Sequence, residues 1–344
     1  MKAVFDPRQR AHDPRGFLAA GQARPNPEAP ERAERLLAGL AAAGAELIGA
    51  ADYGMAPIAA VHSAEYLEFL QTIHAAWAAV PGAGPEVMPN IHPDRRAASY
   101  PTGPVGRAGW HMADTACPIG AETWGAVYAS AQTALTAAEL VAEGERAAYA
   151  LCRPPGHHAF ADMAGGFCFL NNSAIAAEKL RAGGMRPAVL DVDVHHGNGT
   201  QGIFYARGDV LTVSIHRDPA GYYPFVWGHA AERGAGAGEG VNLNLPLPAG
   251  AGDEVYMEAL AAAFARIRAF GADVLVVALG LDAHVGDPLA GLAVTTPGFA
   301  RIGAAVAGLG LPVLLVQEGG YLQPALGDNL TAFLTGFEGR GGVA

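Results

Sequence analysis

The stretch Ala188-Val-Leu-Asp191-Val-Asp193-Val-His195-His196-Gly-Asn198-Gly199 begins as a continuous apolar run and ends in acidic, imidazole and amide side chains. The apolar part predicts a strand over 188–192, because a strand covered on both faces of a sheet is hydrophobic throughout rather than alternating. Further runs of the same character predict four more buried strands, over 147–151, 210–215, 274–279 and 313–316.

Stretches with helical spacing of apolar residues lie before and between these strands, at 28–43, 64–80, 123–142, 171–182, 253–270 and 297–309. This alternation predicts an α/β fold with a single open, doubly wound and mostly parallel sheet and helices on both faces. No repeat, charge run or linker divides the chain, so we expect one domain over 1–344.

Two segments depart from the alternation. Residues 81–122 are long and rich in Gly and Pro, which predicts an insert loop with a functional or interface role. The glycine-rich run 234–240 is out of register with a dinucleotide-binding motif and is not followed by a helix. It therefore predicts a hairpin or surface turn rather than a phosphate-binding loop.

Composition excludes several classes of protein. With 344 residues, 51% of them hydrophobic, the chain has enough apolar surface for a large core. The net charge of −11 argues against a nucleic-acid partner and weakly favours cationic ligands. Three cysteines without CxxC spacing indicate neither a disulfide framework nor a cysteine-rich zinc module, and they favour a reducing compartment. No apolar stretch is long enough for a signal peptide or a membrane span, so we expect a cytoplasmic protein without membrane partners.

Polar residues follow each of the five predicted strands. In open α/β sheets, ligands bind beyond the carboxyl ends of the strands, so residues at these ends are candidates for a shared site. In chain order the ends carry His157 and His158; Asp191, Asp193, His195 and Asn198; His216 and Asp218; Asp282 and His284; Glu318 and Tyr321.

Asp193 and His195 lie two residues apart in an extended segment, so their side chains point the same way and can reach one metal ion. Asp282, at another strand end, would supply a third ligand. Three protein ligands leave a position open for water, which is typical of a catalytic zinc site. A lone Asp-x-His more often caps a turn, but the other polar strand ends favour the metal site.

The adjacent His157 and His158 would then work beside the metal, with one imidazole deprotonating water and the other steering charge. Asp191 and Asn198 are the expected partners of the two rings. The asparagine should raise the pKa of its histidine less than an aspartate would, because it carries no charge.

Aromatic residues complete the predicted site. The hydroxyl of Tyr321 could donate a hydrogen bond to the oxyanion of a tetrahedral intermediate. Phe167 and Tyr223 are candidates for the walls of a narrow channel, although as isolated features they would be interpreted as core residues.

Together these motifs resemble the histone deacetylase superfamily of zinc amidohydrolases, which has the arginase/deacetylase fold, and within it the bacterial acetylpolyamine amidohydrolases. The resemblance rests on Arg153-Pro-Pro-Gly-His-His-Ala159, Gly166-Phe-Cys-Phe-Leu-Asn-Asn172, Asp191-Val-Asp-Val-His-His-Gly-Asn-Gly-Thr-Gln201, Leu279-Gly-Leu-Asp282 and Glu318-Gly-Gly-Tyr321. The motifs occur in order along the chain. Glu28-Ala-Pro-Glu-Arg-Ala33 and Val61-His62 extend the match towards the first residues.

The resemblance assigns roles to individual residues. It implies zinc, with iron(II) or cobalt in its place, on Asp193, His195 and Asp282. It implies a catalytic group made of the general base and later acid His158, the charge-stabilising His157, the oxyanion donor Tyr321, and the histidine partners Asp191 and Asn198. It also implies channel walls at Phe167 and Tyr223. Finally, it implies a structural potassium site formed by Asp191, Asp193, His195, Ser214 and Ile215.

The implied reaction is deacetylation of small cationic amines such as acetylputrescine or acetylcadaverine. An acyl-lysine deacetylase or an amidohydrolase of another small amide is the alternative, and a binding module without catalysis is a third hypothesis. In polyamine-processing relatives the insert packs a homodimer, narrows the mouth of the site and carries acids for the distal ammonium groups. This sequence has Val105 and Ala116 near those positions, with Asp94, Asp114 and Glu122 nearby.

Overall fold

The fold was examined in a computed structural model, which describes residues 1–93 and 99–339. Its strands are β1 (Lys2–Val4), β2 (Gly16–Ala19), β3 (Gln22–Pro25), β4 (Glu46–Ile48), β5 (Ala147–Ala150), β6 (Pro187–Asp191), β7 (Leu211–Arg217), β8 (Asn242–Leu247), β9 (Val274–Leu279) and β10 (Val313–Gln317). Within this described part, eight strands form one sheet in the order β4-β1-β5-β10-β9-β6-β7-β8. Every pairing in that sheet is parallel, whereas β2 and β3 form a separate antiparallel pair.

The predicted α/β fold class is confirmed, and the five strands predicted from apolar runs are β5, β6, β7, β9 and β10. Their residues are buried almost throughout, as the continuous apolar runs require. Three strands of the sheet were not predicted. β1 and β4 are three residues each, and β8, at the edge of the sheet, mixes buried with half-buried positions.

The helices are α1 (Glu31–Ala42), α2 (Ala56–Ala59), α3 (Ala64–Ala78), α4 (Pro104–His111), α5 (Thr123–Ala142), α6 (Asn172–Ala182), α7 (Asn198–Phe204), α8 (Asp253–Phe270), α9 (Thr296–Ala307) and α10 (Leu326–Phe337). Each of the six predicted helices is present, with bounds that differ by at most three residues. α2, α4, α7 and α10 were not predicted from the spacing of apolar residues.

Two hydrophobic cores cover the two faces of the sheet. Alternate residues of β9 show the division: Leu275 and Val277 pack with α1, α8, α9 and α10, whereas Val274 and Val276 pack with α3, α5 and α6. Each fully buried side chain of this size contributes about 1.5–3 kcal/mol to stability. Hydrophobic packing on both faces therefore stabilises the sheet. The side chains at its carboxyl edge are attached to this well-packed backbone.

The prediction of an insert loop over 81–122 needs correction, because α4 lies within it. Pro104 occupies the first turn of α4, where its missing N–H costs nothing and its fixed φ favours a helix. His111, at the end of α4, is fully buried, with its ring 4.7 Å from that of Phe69 on α3. The insert is thus anchored to the core by a helix. Asp94 lies outside the described residues.

The glycine-rich run 234–240 forms a turn, as predicted, but not a hairpin. It contains a short 3-10 helix (Gly236–Gly238) and leads into β8, which pairs in parallel with β7. Parallel pairing requires a crossover connection rather than a hairpin. No helix in the described part of the chain is long and apolar enough to cross a membrane.

Candidate active site

Four neighbouring strands carry the residues predicted to act together. β5, β10, β9 and β6 lie side by side in the sheet, in that order. Because they are parallel, the segments that follow them leave at the same edge. This adjacency brings His157 and His158, Tyr321, Asp282, and Asp193 with His195 to one place.

Asp193, His195 and Asp282 form a compact, buried group. His195 Nδ1 lies 3.1 Å from Asp193 Oδ1 and 3.2 Å from Asp282 Oδ2. The ligand atoms of the three side chains all lie within 4.8 Å of one another. One imidazole nitrogen and two carboxylates this close together make a donor set suited to a divalent metal.

Backbone groups orient both carboxylates. Gly319 N donates to Asp193 Oδ2 at 2.8 Å, and Val194 N donates to Asp282 Oδ1 at 3.0 Å. A Cβ on Gly319 would overlap both carboxylates, and one on Gly280 would overlap Asp193. Glycine at 280 and 319 is therefore required by the close approach of backbone and ligands.

The electrostatics of this group favour a cation. Asp282 Oδ2 is buried and receives no hydrogen bond from the described residues. Burial lowers the pKa of His195, but Asp193 and Asp282 outweigh that effect and raise it to about 9. Burial raises the pKa of Asp193, yet His157 and His195 hold it well below its usual range. Two buried carboxylates beside one imidazole therefore suit a divalent cation.

The two adjacent histidines have different partners. His157 Nδ1 lies 2.9 Å from Asp191 Oδ2, and His158 Nδ1 lies 2.7 Å from Asn198 Oδ1. The ring centroids are 4.0 Å apart. Each Nδ1–H donates to its oxygen partner, and His157 Nε2 lies 3.8 Å from Asp193 Oδ1.

These partners drive the pKa values of the two rings apart. Burial lowers the pKa of His157, but Asp191 and Asp193 raise it to about 10. Burial holds the pKa of His158 well below its usual value, and the neighbouring His157 and His195 lower it further. His158 is therefore a neutral imidazole able to accept a proton, while His157 carries positive charge.

Glu318 links the segment after β10 to the segment that carries the histidines. Its Oε2 accepts from Gly156 N at 2.6 Å and from His157 N at 3.0 Å, while Oε1 accepts from Ser173 Oγ at 2.7 Å. Burial raises the pKa of this carboxyl to about 7 against the opposing effect of His157. His157, Cys168 and Glu318 are also close enough to hold a metal, but the oxygens of Glu318 are already engaged by these three donors.

Replacing Glu318 with alanine is expected to lower the free energy of unfolding by about 3 kcal/mol, because two buried N–H groups and a hydroxyl lose their acceptor. Glu318→Gln keeps an acceptor oxygen and should lose less than half as much. Urea unfolding of both variants measures the difference. Equal losses in the two variants, or a fully stable Glu318→Ala, would contradict this role.

Tyr321 is held from three sides. Its N–H donates to Asp287 Oδ2 at 2.9 Å, its ring centroid lies 5.7 Å from that of Phe167, and the Arg32 guanidinium lies 4.7 Å from the ring centroid. Burial keeps the pKa of the phenol well above its usual value, although Arg32 opposes this. The hydroxyl is therefore protonated and able to donate.

Arg32 positions the backbone on which Tyr321 stands. Its Nε donates to Gly320 O at 2.6 Å, Nη2 donates to Glu318 O at 2.7 Å, and Nη1 donates to Glu28 Oε1 at 2.6 Å. Sequence reasoning assigned no role to Arg32. The available signal was its position on the apolar stripe of a predicted helix, four residues before Leu36, where an arginine is unexpected.

A cavity of about 790 Å³ connects this group to the surface. Its walls include eight Phe, Tyr and Trp side chains, and both residues that the sequence named as channel walls, Phe167 and Tyr223, are among them. Tyr223 meets the His158 ring edge-on at 4.9 Å, and Tyr222 stacks on His195 at 4.9 Å. Phe167 has a φ of 70°, in the left-handed region that non-glycine residues seldom adopt, which is typical of functional walls.

The acidic residues of the insert lie in different surroundings. Asp114 lines the cavity, whereas Glu122 lines a separate depression beside the start of α5. Ala116 also lines the cavity, and Val105 packs against the core from α4. Of the two acids that the structure describes, Asp114 is the one that lines this cavity.

Other strand-end residues lie outside the cavity among the described positions. His216 is buried between Ser214 and Gly228, Asp218 caps a short turn through Ala220 N, and His284 accepts from Gly286 N.

Asp191 and Ser214, two of the predicted potassium ligands, face each other in register on β6 and β7. Ile215 follows on β7 and is fully buried.

This fold and site define a class of protein. Residues 26–337 match the model of the histone deacetylase domain, and the chain belongs to that family.

Relatives within the family are similar over nearly the whole chain. An acetylpolyamine amidohydrolase of Burkholderia pseudomallei (strain 1710b) is 50% identical over 338 residues, covering 98% of each chain. Acetylpolyamine amidohydrolase 1 of Pseudomonas aeruginosa is 45% identical over 344 residues, covering 98% of this chain and 99% of the relative. The crystal structure of acetylpolyamine aminohydrolase from B. pseudomallei superposes with a TM-score of 0.95 at 50% identity, covering 98% of each chain.

Proposed function

We propose that this protein is a metal-dependent amidohydrolase that removes the acetyl group from small N-acetylated amines, of the acetylputrescine or acetylcadaverine type. The observation that carries the proposal is the buried group of Asp193, His195 and Asp282, whose His195 lines one cavity together with His158 and Tyr321. Relatives named acetylpolyamine amidohydrolases, at 45–50% identity over 98% of this chain, support the substrate class.

Zinc is the metal we propose for Asp193, His195 and Asp282, with iron(II) or cobalt as alternatives. The unpaired Asp282 Oδ2 supports a cation at that point. When bound, such a metal polarises an amide carbonyl and makes water more acidic.

The residues of the chain supply the remaining steps. His158, neutral and held through Nδ1 by Asn198, accepts the proton of the attacking water and later gives it to the leaving amine. His157, kept positive by Asp191, stabilises the negative charge that develops beside it. The Tyr321 hydroxyl donates to the oxyanion, where the transition state differs most from the substrate.

Removing the metal is expected to abolish hydrolysis of acetylputrescine, and adding back zinc, cobalt or iron(II) should restore it. Elemental analysis should find about one divalent metal per chain. Asp282→Asn should lower that content, whereas the matched control Asp218→Asn should leave it unchanged, because Asp218 only caps a turn. Full activity after complete chelation would refute the proposal.

Comparison of rates on acetylputrescine, acetylspermine and an acetyl-lysine peptide distinguishes the alternatives. Faster turnover of the peptide would favour the acyl-lysine deacetylase. Absence of turnover with each of the three metals would favour the binding module.

We further infer one catalytic domain over 1–344, with 81–122 as an insert that packs a homodimer. Ile91 of the insert is an exposed apolar side chain, as are Leu18 and Phe225 of the cavity lining, and these side chains support such an interface. The mass of the protein in solution tests it.

The remaining inferences concern potassium and the cell compartment. We infer a structural potassium ion at Asp191, Asp193, His195, Ser214 and Ile215, supported by the pairing of β6 with β7. A cytoplasmic location is supported by three separate buried thiols.

A further inference from the structure

Asp287 is a buried carboxylate beside the candidate site that takes no part in the proposed chemical steps. It follows Asp282 in the segment after β9 and is 3% exposed. Its two oxygens both accept from backbone N–H groups, Oδ2 from Tyr321 N at 2.9 Å and Oδ1 from Leu289 N at 2.9 Å. Because a carboxylate out of water is costly unless it is hydrogen-bonded, these bonds fix the side chain in one place.

The peptide group that joins Gly320 to Tyr321 is held at both ends by charged side chains. Asp287 accepts from its N–H, and Arg32 Nε donates to its carbonyl oxygen at 2.6 Å. The negative carboxylate thus meets the positive end of the peptide dipole, and the positive guanidinium meets the negative end. Since hydrogen bonds to charged groups are the stronger ones, this pair of contacts favours a single orientation of the peptide group.

The chain before Tyr321 does not fix that orientation by itself. Gly319 and Gly320 have no side chains to pack, and Gly320 has a φ of 111°, a region open to glycine. The N–H end of the peptide group is bonded to the Cα that carries the phenol of Tyr321. A rotation of the peptide group therefore moves the hydroxyl, so contacts from other segments determine where it points.

The other oxygen of Asp287 reaches the site by a second route. Leu289, whose N–H it accepts, has a carbonyl oxygen that accepts from the Tyr222 hydroxyl at 3.0 Å. Tyr222 in turn stacks on the ring of His195, with the ring centroids 4.9 Å apart. This route passes through the cavity wall and the metal group rather than through Tyr321, so an experiment must separate the two routes.

We propose that Asp287 is a positioning residue that orients the Tyr321 hydroxyl toward the oxyanion by holding the N–H of the peptide group between Gly320 and Tyr321. This inference rests on the proposed amidohydrolase function. It adds to that function a residue that acts on the rate of the chemical step, although Asp287 neither lines the cavity nor belongs to the metal group.

Replacing Asp287 with alanine is expected to lower kcat for acetylputrescine by about 10- to 100-fold with little change in KM, because a small misplacement of a group that acts in the transition state lowers the rate steeply. The loss should not exceed that of Tyr321→Phe, since the hydroxyl is the group through which Asp287 acts. Steady-state kinetics on metal-loaded protein, with metal content from elemental analysis, measures both constants.

A double-mutant cycle shows whether the effect passes through the hydroxyl. The Tyr321→Phe variant has no hydroxyl to orient, so adding Asp287→Ala to it should lower kcat by no more than about twofold. A general loss of folding or of metal would lower kcat by the same factor with and without the hydroxyl. An effect through Leu289 and Tyr222 would likewise persist in Tyr321→Phe.

Two further variants make the test independent of folding. Asp287→Asn keeps one acceptor oxygen, so its loss of kcat should be smaller than that of Asp287→Ala and should also disappear in the Tyr321→Phe background. Asp253→Ala is the matched control, because Asp253 Oδ1 accepts from Thr295 N at 2.8 Å, a backbone N–H outside the cavity lining. It should be less stable in urea but retain the kcat of the wild type.

Three outcomes would overturn the proposal: an unchanged kcat in both Asp287 variants, the same factor of loss with and without the Tyr321 hydroxyl, or an equal loss of kcat in Asp253→Ala. Each of them leaves hydrolysis by the wild type, and so the proposed function, intact. Failure of the metal-loaded wild type to hydrolyse acetylputrescine, acetylspermine or the acetyl-lysine peptide would instead refute the proposed function, and this inference with it.

Discussion

Replacing His158 with alanine is expected to lower kcat by about 100- to 10,000-fold while the metal remains bound. His158 is the neutral member of the histidine pair, with its pKa held well below the usual value by burial and by His157 and His195. It is therefore the imidazole able to accept a proton at neutral pH. The proposed metal ligands should be undisturbed, because the hydrogen bond of the His158 ring goes to Asn198 rather than to Asp193 or Asp282.

Single-turnover kinetics and elemental analysis of the same preparation test this expectation. Asn198→Ala is the matched control, since it keeps the imidazole and removes only the group that holds Nδ1. It should retain more activity than His158→Ala. If His158→Ala lost its metal, a ligand would have been misassigned, and near wild-type turnover would exclude His158 as the base.

Replacing Tyr321 with phenylalanine should lower kcat by about 100- to 1,000-fold with little change in KM. The substitution removes only the hydroxyl that we propose as the donor to the developing oxyanion. Contacts of the ring with Phe167 and Arg32, and the bond from Tyr321 N to Asp287, all remain. The fold and the metal group should therefore be unaffected.

Tyr222→Phe provides a comparison within the same cavity. The Tyr222 hydroxyl donates to Leu289 O at 3.0 Å, so its loss should affect kcat far less. Steady-state kinetics with thermal unfolding of both variants measures the contrast. Equal kcat values in Tyr321→Phe and the wild type would contradict the proposed role of Tyr321 as the oxyanion donor.

Elements whose pattern is local were predictable from the sequence. β5, β6, β7, β9 and β10 are continuous apolar runs, since a strand covered on both faces needs apolar residues at every position. β1 and β4 are too short to form a pattern, and β8 carries buried Asn242 and Asn244, whose partners come from elsewhere in the chain. α4 interrupts a segment whose Gly and Pro content indicated a loop.

Within the candidate site, the sequence indicated which residues share an edge but not how they are held. Asp193, His195, Asp282, His158 and Tyr321 follow predicted strands, so their convergence could be expected from the rule for parallel sheets. The support given by Arg32, Glu318 and Asp287 could not, because each acts on backbone groups whose position depends on the complete fold.

The parallel sheet, the sheet edge proposed for the chemistry and the family resemblance could all be predicted from the sequence, because they depend on short-range patterns and motif order. The contact of Glu318 with the backbone 162 residues away, and that of Arg32 with Gly320, 288 residues away, are visible only in the folded chain. The same is true of the position of Asp114, rather than Glu122, at the cavity. Contacts of this kind form only when distant segments pack together, so no local pattern encodes them.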